Sequence, residues 1–354
     1  MIIGLHGSYF VRNFGDTLLL NIIYNWIKEA QPNSKVILPY ITSHKEAVEI
    51  LNNTDTDSYK KYQVSQCDKF VFGGGGYFGE PNKSWLKRQR WSYRNYRRHI
   101  AWNKELFTNH IPFSIIGVGV GPLSNYFLRK KAIQLFEKAN FICVRDNESL
   151  NYIRKWGNIN PDIYETTDLA LTVRRPPGTP NEKKVLGVHF PILAHFPQEK
   201  IPDIVSFLKK LSEAYTIKLV NDEEGQMDIG RRSNITRFIR ENNIEYTQIE
   251  YHDPTTLINE LNSLDAIITT KLHVGILGYA LKKPVLSIPN HDKNFRFYKQ
   301  IGRSKFCIPS HEADYKRLLA VFDECVNTEV IHNPALMEKA EFAKEKLISF
   351  LRLP

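Results

Sequence analysis

The sequence predicts an α/β protein with two doubly wound, Rossmann-like domains facing a cleft. Three observations favour this fold: short strands that are apolar on both faces, helix-like segments that alternate with them, and a proline-rich segment that separates two such series. Strands apolar on both faces are typical of parallel sheets that helices cover on both sides. At 354 residues the chain is long enough for two domains of ordinary size.

The first half alternates strands with helical segments. Strands are predicted at MIIGLHG (1–7), KVILPY (35–40), KFVFGG (69–74), FSIIGVG (113–119) and FICVRD (141–146). Between the first two, TLLLNIIYNWIKEA (17–30) has apolar residues at helical spacing. Each strand is followed by glycine or a polar loop, which is typical of a doubly wound domain.

The segment RRPPGTPNEKK at 174–184 predicts the linker between the domains. We therefore expect an N-terminal domain over 1–175, a C-terminal domain over 183–330, and a final helix over 331–354 that packs back on the first domain. After the linker, strands are predicted at VLGVHF (185–190), TIKLV (216–220), IEYTQI (244–249), AIITT (266–270), PVLSI (284–288) and KFCIP (305–309), with helices at 203–214, 230–242, 254–263 and after Thr270.

The composition is that of a soluble globular protein, with 42% apolar and 24% charged residues. No run reaches the roughly 18 apolar residues of a spanning helix, and MIIGLHGSYF lacks the features of a signal peptide. The four cysteines are scattered without metal-ligand spacing, so we expect a reduced, cytoplasmic protein without structural zinc. The net charge of +10 favours an anionic partner, either nucleic acid, acidic lipid or a phosphorylated or carboxylated small molecule.

Ligands of open parallel sheets bind beyond the carboxyl ends of the strands, against helix N-termini. The first strand leads into GSYFVRNFGDTLLLN, where Asp16 is predicted to be the N-cap of the first helix. Asn13 and Asp16 are also candidates to face the cleft. Two glycine-rich turns, FGGGGYFGEP (72–81) and GVGVGPLSN (117–125), follow later strands.

The four consecutive glycines predict exposed amides that let a ligand approach the backbone, so Gly74, Gly75 and Gly76 are candidate substrate-binding residues. No Gly-Lys-Ser/Thr follows them, which excludes a Walker loop. Arg145 directly follows the fifth strand, where its planar fork would suit a carboxylate or phosphate, although pairing with a core carboxylate is an open alternative. Asp146 is a predicted helix cap. Asp168, in ETTDLALTV (165–173), is predicted to lie on or beside the last strand before the linker and to be structural.

The stretch IITTKLHVGILGYALKKPVLSI (267–288) places Lys271 and His273 between a strand and an apolar helix. A capping lysine and a buried histidine would explain the stretch without a function. The next segment, PNHDKNFRFYKQIG, adds Lys293 and Arg296 after another strand end. We expect Arg145, Lys271, His273 and Lys293 to form a cationic pocket with one group able to transfer protons near neutral pH.

In order and spacing these motifs resemble those of the polysaccharide pyruvyltransferase family along nearly the whole chain. The matching motifs are N-F-G-D, F-G-G-G-G, G-V-G-P-L, V-R-D-N-E-S-L, T-K-L-H-V and D-K-N-F-R-F. The resemblance implies a cytoplasmic enzyme with the two-domain glycosyltransferase-B architecture. Such enzymes use phosphoenolpyruvate to place a pyruvate ketal across two hydroxyls of a sugar.

The resemblance also assigns roles. Donor-site roles fall on Arg145, His273 and Lys293, with His273 transferring protons and Asp16 as a base for the attacking hydroxyl. The family usually has Arg-Leu-His where this chain has Lys271-Leu272-His273, and lysine lacks the bidentate fork of arginine. We expect the donor on the C-terminal domain and the acceptor on the N-terminal domain. Phosphoenolpyruvate is the donor substrate, and no metal or other cofactor is expected, because cationic side chains can neutralise its charge.

Two other functions stay open. A nucleotide-sugar glycosyltransferase would share the architecture, but many such enzymes carry two glutamates seven residues apart, and this chain has none between Glu260 and Glu312. A non-catalytic protein that binds RNA or anionic lipid is the second alternative. An intact set of Arg145, His273 and Lys293 argues against it.

The segment KSWLKRQRWSYRNYRRHIAWNK (83–104) contains eight Lys or Arg, five Trp or Tyr and no acid. This pattern suits nucleic acid, an anionic membrane surface or sugar stacking, while an amphipathic helix outside the first domain is the plainer alternative. Since the segment follows the glycine run, we favour an acceptor-facing or membrane-facing role. We expect the acceptor to be a sugar of a polysaccharide or of its lipid-linked precursor. We expect segment 83–104 to contact the inner face of an anionic membrane peripherally, and we do not expect a nucleic-acid partner.

Overall fold

The computed structural model describes residues 1–8, 13–39, 56–58, 64–81, 84–157, 159–177, 181–190, 196–223 and 239–353. These residues fold into two compact units. The first contains Met1–Arg12, Asp16–Leu169 and Ala335–Pro354, and the second contains Asn13–Gly15 and Ala170–Pro334.

The first unit is built on a parallel sheet. Its strands are β1 (Ile2–His6), β2 (Lys35–Leu38), β3 (Thr56–Ser58), β4 (Lys69–Phe72), β5 (Gly75–Phe78), β6 (Phe113–Val120), β7 (Phe141–Val144) and β8 (Asp162–Glu165). Their spatial order is β3-β2-β1-β4-β6-β7-β8, and β5 pairs with β6. The order in which the chain adds strands reverses at β1: β2 and β3 lie on one side of it, and β4 and the later strands lie on the other. At this reversal His6 of β1 is paired with Phe72 of β4. In doubly wound sheets this reversal marks the usual ligand position.

Helices cover this sheet. They are α1 (Phe14–Ala30), α2 (Trp85–Asn95), α3 (Asn103–Thr108), α4 (Tyr126–Glu137), α5 (Asn147–Arg154) and the C-terminal helix (Pro334–Arg352), with a π-helical turn at Tyr96–Ile100 and a 3-10 turn at Val64–Gln66. Phenylalanines contribute to the core of this unit, where the Phe78 and Phe136 rings lie 4.8 Å apart, edge to face.

The C-terminal helix contacts the sheet of the first unit through a buried lysine. Lys69 at the start of β4 donates from Nζ to the carbonyl of Phe350 at 2.8 Å and to that of Leu353 at 2.5 Å. Lys339 Nζ lies 2.6 Å from Glu165 Oε1 at the end of β8. Lys69 thus satisfies carbonyls at the C-terminal end of this helix that would otherwise lack partners.

The second unit contains a five-stranded parallel sheet. Its strands are β9 (Val185–His189), β10 (Thr216–Val220), β11 (Tyr246–Ile249), β12 (Ala266–Thr269) and β13 (Val285–Ser287), in the order β11-β10-β9-β12-β13. Its helices are α6 (Ile201–Ser212), α7 (Pro254–Asn262), α8 (Leu272–Ala280), α9 (Asp292–Gln300) and α10 (Tyr315–Asn327), with 3-10 turns at Leu169–Thr172, Gln198–Lys200, Ser304–Phe306 and Ser310–Glu312. The order in which the chain adds strands reverses at β9, because β10 and β11 lie on one side of it and β12 and β13 on the other. The last residues of β9 and β12, His189 and Thr269, are paired.

The predicted α/β fold class, with a parallel sheet in each of two units, is confirmed. Two strands were not predicted: β3 is polar, and β5 begins in the glycine run. The half-buried β8 is the last strand before the linker, and Asp168 lies three residues beyond its end. The strand predicted at 305–309 is wrong, because Ser304–Phe306 forms a 3-10 turn and Cys307 makes an isolated bridge with Ser287. The helix predicted at 230–242 lies largely outside the described residues, of which 239–241 are helical.

Two local predictions also need correction. Helix α1 starts at Phe14, so Asp16 lies in its first turn instead of at the N-cap, where its charge still favours the positive end of the helix dipole. Gly73, Gly74 and Gly75 are buried, so they do not expose their backbone as predicted. A Cβ on Gly74 would lie 2.7 Å from Leu19 Cδ1, so glycine is required for α1 to approach the end of β4. Gly76 is exposed.

Candidate functional site

Lys271 lies between β12 and α8 in the second unit. Its backbone is extended, with φ −110° and ψ 151°, and it occupies the N-cap position without a capping hydrogen bond from its side chain. Instead, its amide donates to Thr269 Oγ1 at 3.0 Å. The orientation of the Lys271 side chain is therefore determined by contacts with residues outside α8.

Two carboxylates hold the Lys271 ammonium. Nζ lies 2.9 Å from Asp222 Oδ2 and 2.7 Å from Glu223 Oε1. Burial would lower the pKa of Lys271, but the two carboxylates outweigh burial and raise it. Lys271 was predicted to belong to an all-cationic pocket, whereas here it is paired with acids, because residues 222–223 follow β10 at the same edge of the sheet.

His189 completes this network at the end of β9. Its Nε2 lies 3.1 Å from Asp222 Oδ1, and its Nδ1 lies 2.9 Å from Thr269 Oγ1. Asp222 is buried, which alone would raise the pKa of its carboxyl. His189 and Lys271 outweigh that effect and hold the pKa well below its ordinary value. Asp222 is therefore a buried carboxylate that stays charged near neutral pH.

The residues Asn13, Phe14 and Gly15 pack against this network. Asn13 forms an antiparallel bridge with Glu223, and the Phe14 amide donates to the Asp222 carbonyl at 2.7 Å. A Cβ built on Gly15 would lie only 1.9 Å from His273 Nδ1. The half-buried His273 imidazole thus lies directly on the Gly15 backbone, and only glycine permits this approach.

Helix α9 begins after the strand next to β12. Strands β12 and β13 are parallel, with Thr269 paired to Ser287, so α8 and α9 follow the same edge of the sheet. His291 is the N-cap of α9, and its side chain makes no capping hydrogen bond. Lys293 is exposed in the first turn and Arg296 is half-buried one turn on. The structure therefore brings two helix N-termini to one edge, with Lys271 at the N-cap of α8 and with Lys293 next to the exposed Asp292 in the first turn of α9.

Arg145 lies in the first unit, directly after β7. A Cβ on Gly119 of β6 would lie 2.7 Å from both Nε and Nη2 of Arg145, so the guanidinium lies flat on glycine. Arg145 Nη1 is 3.7 Å from Asp168 Oδ2, and Nε is 3.8 Å from Asp146 Oδ2, both beyond hydrogen-bonding distance. Arg145 is therefore within ion-pairing distance of both carboxylates, which is the alternative that the sequence left open, but these two contacts are too long for hydrogen bonds.

Asp146 caps α5 as predicted, since its Oδ1 accepts from the Ser149 amide at 2.7 Å. The glycines of the second run are not a turn: Gly117 and Gly119 lie within β6. Gly117 has φ +67°, and a Cβ there would lie 2.6 Å from Leu169 Cδ1. Packing against Leu169 and Arg145 therefore accounts for these two glycines.

Sequence reasoning missed the network around Lys271. His189, Asp222 and Glu223 each lie at or just beyond a strand end, which is the signal that had singled out Arg145 and Lys271. No group of three or more His, Cys, Asp or Glu among the described residues is arranged to hold a metal ion. In the same part of the chain, no helix has the length and apolar character needed to cross a bilayer.

A family model described as polysaccharide pyruvyl transferase matches residues 13–292. No curated protein matches the chain in sequence.

Solved structures match over nearly the full length at low identity. UDP-GlcNAc 2-epimerase from Methanocaldococcus jannaschii has a TM-score of 0.66 and 12% identity, with 99% of each chain covered. A second UDP-N-acetylglucosamine 2-epimerase has a TM-score of 0.65 and 11% identity, covering 99% of this chain and 95% of its own. Anabaena HepE in complex with UDP has a TM-score of 0.56 and 13% identity, covering 99% and 97%. These likenesses show a glycosyltransferase-B-like fold.

Proposed function

Because the chain belongs to the polysaccharide pyruvyl transferase family, we propose that it moves the enolpyruvyl group of phosphoenolpyruvate onto two hydroxyls of one sugar, forming a pyruvate ketal. The family makes it a transferase of polysaccharide biosynthesis. The sugar belongs to a polysaccharide or to its lipid-linked precursor, and the reaction takes place in the cytoplasm.

The observation that carries the donor proposal is the edge of the second sheet where α8 and α9 begin. Neither N-cap side chain closes its helix, and a lysine lies at each start: Lys271 is the N-cap of α8, and Lys293 lies beside Asp292 in the first turn of α9. Amides at a helix N-terminus and nearby cations favour anions. Phosphoenolpyruvate carries a phosphate and a carboxylate, and two such helix ends suit a ligand with two anionic groups.

The reaction balances without a cofactor. One sugar hydroxyl forms a bond to the central carbon of phosphoenolpyruvate while a proton is added to the enol carbon, which becomes a methyl group. The second hydroxyl then forms the other ketal bond as the carbon–oxygen bond to phosphate breaks. Its proton leaves with the phosphate, so one diol and one phosphoenolpyruvate give one ketal and one phosphate.

In this proposal His273 transfers protons, because its imidazole is fixed on Gly15 at the start of α8. Lys293 and Arg296 hold anionic groups of the donor. Lys271 does so only in part, since Asp222 and Glu223 already engage its charge. Its main task is then to fix the backbone turn that presents His273.

Arg145 and Asp16, in the first unit, are proposed to bind an anionic group and to act as a base for a sugar hydroxyl, respectively. Asn13 and Gly76 stay predicted substrate contacts, whereas Gly74 and Gly75, which were predicted with them, are buried. Of these glycines, Gly76 is the exposed one, so it suits the role best.

A thermal melt with phosphoenolpyruvate tests the donor directly. At about 100 times its dissociation constant the donor should stabilise the fold by roughly 2.7 kcal/mol, a clear rise in Tm. The same concentrations of inorganic phosphate and of pyruvate are the controls, because each presents only one of the two anionic groups. The variant His273→Ala should keep the shift but lose turnover, whereas Lys293→Ala with Arg296→Ala should lose the shift.

A shift with a UDP-sugar and none with phosphoenolpyruvate would overturn the proposal and favour a nucleotide-sugar glycosyltransferase. That panel is warranted because two of the solved structures with this fold are complexes with UDP or with UDP-GlcNAc and UDP. Equal shifts with phosphate and with phosphoenolpyruvate would mean that the site recognises a single anion, which also contradicts the donor assignment.

A further inference from the structure

One surface of the first unit combines exposed apolar side chains with a high positive charge. Eight large apolar side chains are exposed among the described residues, and five of them lie on α2 or at the start of α4. These are Trp85 (62% exposed), Leu86 (67%), Tyr93 (64%), Tyr126 (69%) and Phe127 (52%). We call this surface the basic aromatic face. Such clustering on one surface usually marks an interaction site.

The two helices of the basic aromatic face are in contact. Asn125, the N-cap of α4, donates from Nδ2 to Gln89 Oε1 on α2 at 2.5 Å. The ring of Phe127 lies 5.1 Å from that of Tyr96, edge to face. The exposed side chains of α2 and α4 therefore belong to one continuous surface.

The surface is strongly basic, and the exposed Glu137 lies only at the far end of α4. Residues 84–104 and 121–136 together contain ten Lys or Arg and no Asp or Glu. Glu80 lies nearby, but its side chain is buried, accepts from Ser124 at 2.7 Å and lies 3.5 Å from Arg88. A partner therefore meets cations without competing surface acids from these two segments.

The exposed side chains of α2 are not needed to hold the helix in place. On its inner side Ser92 and Asn95 are buried, and Asn95 Nδ2 donates to the Tyr77 carbonyl at 2.6 Å. Trp91 and Tyr96 pack against the core of the first unit. Leu86, Arg90 and Tyr93 follow at spacings of four and three residues and share the outer face, which leaves them for a partner.

We propose that the basic aromatic face binds the surface of an anionic lipid bilayer. Tryptophan and tyrosine favour the headgroup region, aliphatic side chains enter the acyl boundary, and lysine and arginine attract anionic lipid. The adjacent pair Trp85 and Leu86 at the first turn of α2 distinguishes a bilayer from single-stranded nucleic acid, because leucine cannot stack on a base. Lys83, which the sequence also assigns to this basic segment, lies outside the described residues.

This inference goes beyond the proposed transfer reaction and does not need it. Vesicle sedimentation tests it without any donor: the full chain is mixed with vesicles of phosphatidylcholine alone or with phosphatidylglycerol added. We expect binding only to the anionic vesicles and a fall in binding as salt rises, since salt screens surface charge. The triple variant R90Q/R94Q/R97Q should weaken binding roughly 100-fold, and W85S/L86S should weaken it about tenfold.

Matched controls carry the same changes elsewhere. K209Q/K316Q/R352Q removes three exposed cations from other surfaces, and I331S removes another exposed apolar side chain. Both should sediment like the wild type. All the changed side chains are exposed, so an unchanged Tm shows that each variant is folded.

Equal binding to neutral and anionic vesicles would overturn the proposal, as would equal losses in the control triple variant. Tight binding of a single-stranded oligonucleotide that R90Q/R94Q/R97Q abolishes, without vesicle binding by the wild type, would assign the face to nucleic acid instead. Phosphoenolpyruvate binding is measured separately, so failure here leaves the donor proposal untouched.

Discussion

Arg145 in the first unit and Lys271 in the second occupy comparable places: Arg145 directly follows β7, Lys271 lies two residues beyond the end of β12, and each lies near two acids. Their geometries differ. The Arg145 guanidinium is 3.7 and 3.8 Å from Asp168 and Asp146, whereas the Lys271 ammonium is 2.9 and 2.7 Å from Asp222 and Glu223. A cation in close contact with two carboxylates has less attraction left for an anionic ligand. This difference supports the proposal that Arg145 binds an anion and that Lys271 positions the backbone before His273.

The glycines sharpen this difference. Gly119 lies under the cation itself in the first unit, whereas Gly15 lies under the neighbouring imidazole in the second. If the two places have different tasks, blocking each glycine with a methyl group should affect different kinetic constants.

The largest effect is expected for Gly15→Ala. The added Cβ would lie 1.9 Å from His273 Nδ1 and must displace the imidazole. If His273 transfers protons, kcat should fall by roughly 10²–10⁴. Gly119→Ala should instead raise KM for the donor or the acceptor, because it displaces Arg145. Steady-state kinetics with phosphoenolpyruvate checks both.

The double variant Gly15→Ala/His273→Ala is the control. It should be no slower than His273→Ala alone, because both changes remove the same group from its position. Additive losses would mean that Gly15 acts on catalysis through something other than His273.

The next largest effect concerns stability. Asp222→Asn removes a buried charge that pairs with both His189 and Lys271, which should lower the free energy of unfolding by about 3 kcal/mol. Asp168→Asn should lower it less, because Arg145 lies at 3.7 Å from that carboxylate. Urea unfolding followed by far-UV circular dichroism measures both.

Tryptophan fluorescence provides a separate signal for the first unit, because all five tryptophans lie between residues 16 and 169. Asp168→Asn should move the urea-unfolding transition seen by tryptophan fluorescence to a lower urea concentration. Equal losses for the two variants would remove the distinction drawn between the two strand ends.

The fold could be predicted from the sequence because a strand that is buried on both faces consists largely of consecutive apolar residues. Runs such as TIKLV and KVIL mark their strands directly. Strand β3 was missed because Thr56–Ser58 contains no apolar residue, and β5 because its glycines suggested a turn. Sheet pairing of β5 with β6 overrode that local preference.

The site could be predicted only in part. The ends of strands can be recognised in the sequence, and this signal identified Arg145, Lys271 and His273 as candidate site residues. Strand order is not visible, and it is the position of β9 between β10 and β12 that brings His189 to Asp222. Nor does any local pattern indicate that Asn13 pairs with Glu223, since 210 positions separate them.

A smaller effect is expected from exchanging the two cations. Arg145→Lys should raise KM by roughly 10- to 100-fold, because lysine lacks the fork that binds a carboxylate or phosphate through two hydrogen bonds. Lys271→Arg should change KM by less than about tenfold, since the new fork would still be engaged by Asp222 and Glu223. A large gain in affinity for Lys271→Arg would show that this position binds the donor directly.

The smallest effect is a pH dependence that isolates Asp222. Its pKa is lowered in the folded protein, so its ionised form contributes stability above the unfolded value of about 3.9, and that contribution is lost as pH falls toward the folded value. The difference in unfolding free energy between wild type and Asp222→Asn should therefore be constant near neutral pH and shrink by about 1 kcal/mol between pH 4 and pH 3. Asp168→Asn provides the comparison, measured by the same urea titrations. A difference for Asp222→Asn that stays constant to pH 3 would mean that neutral hydrogen bonds, and not the charge shared with His189 and Lys271, hold this strand end together.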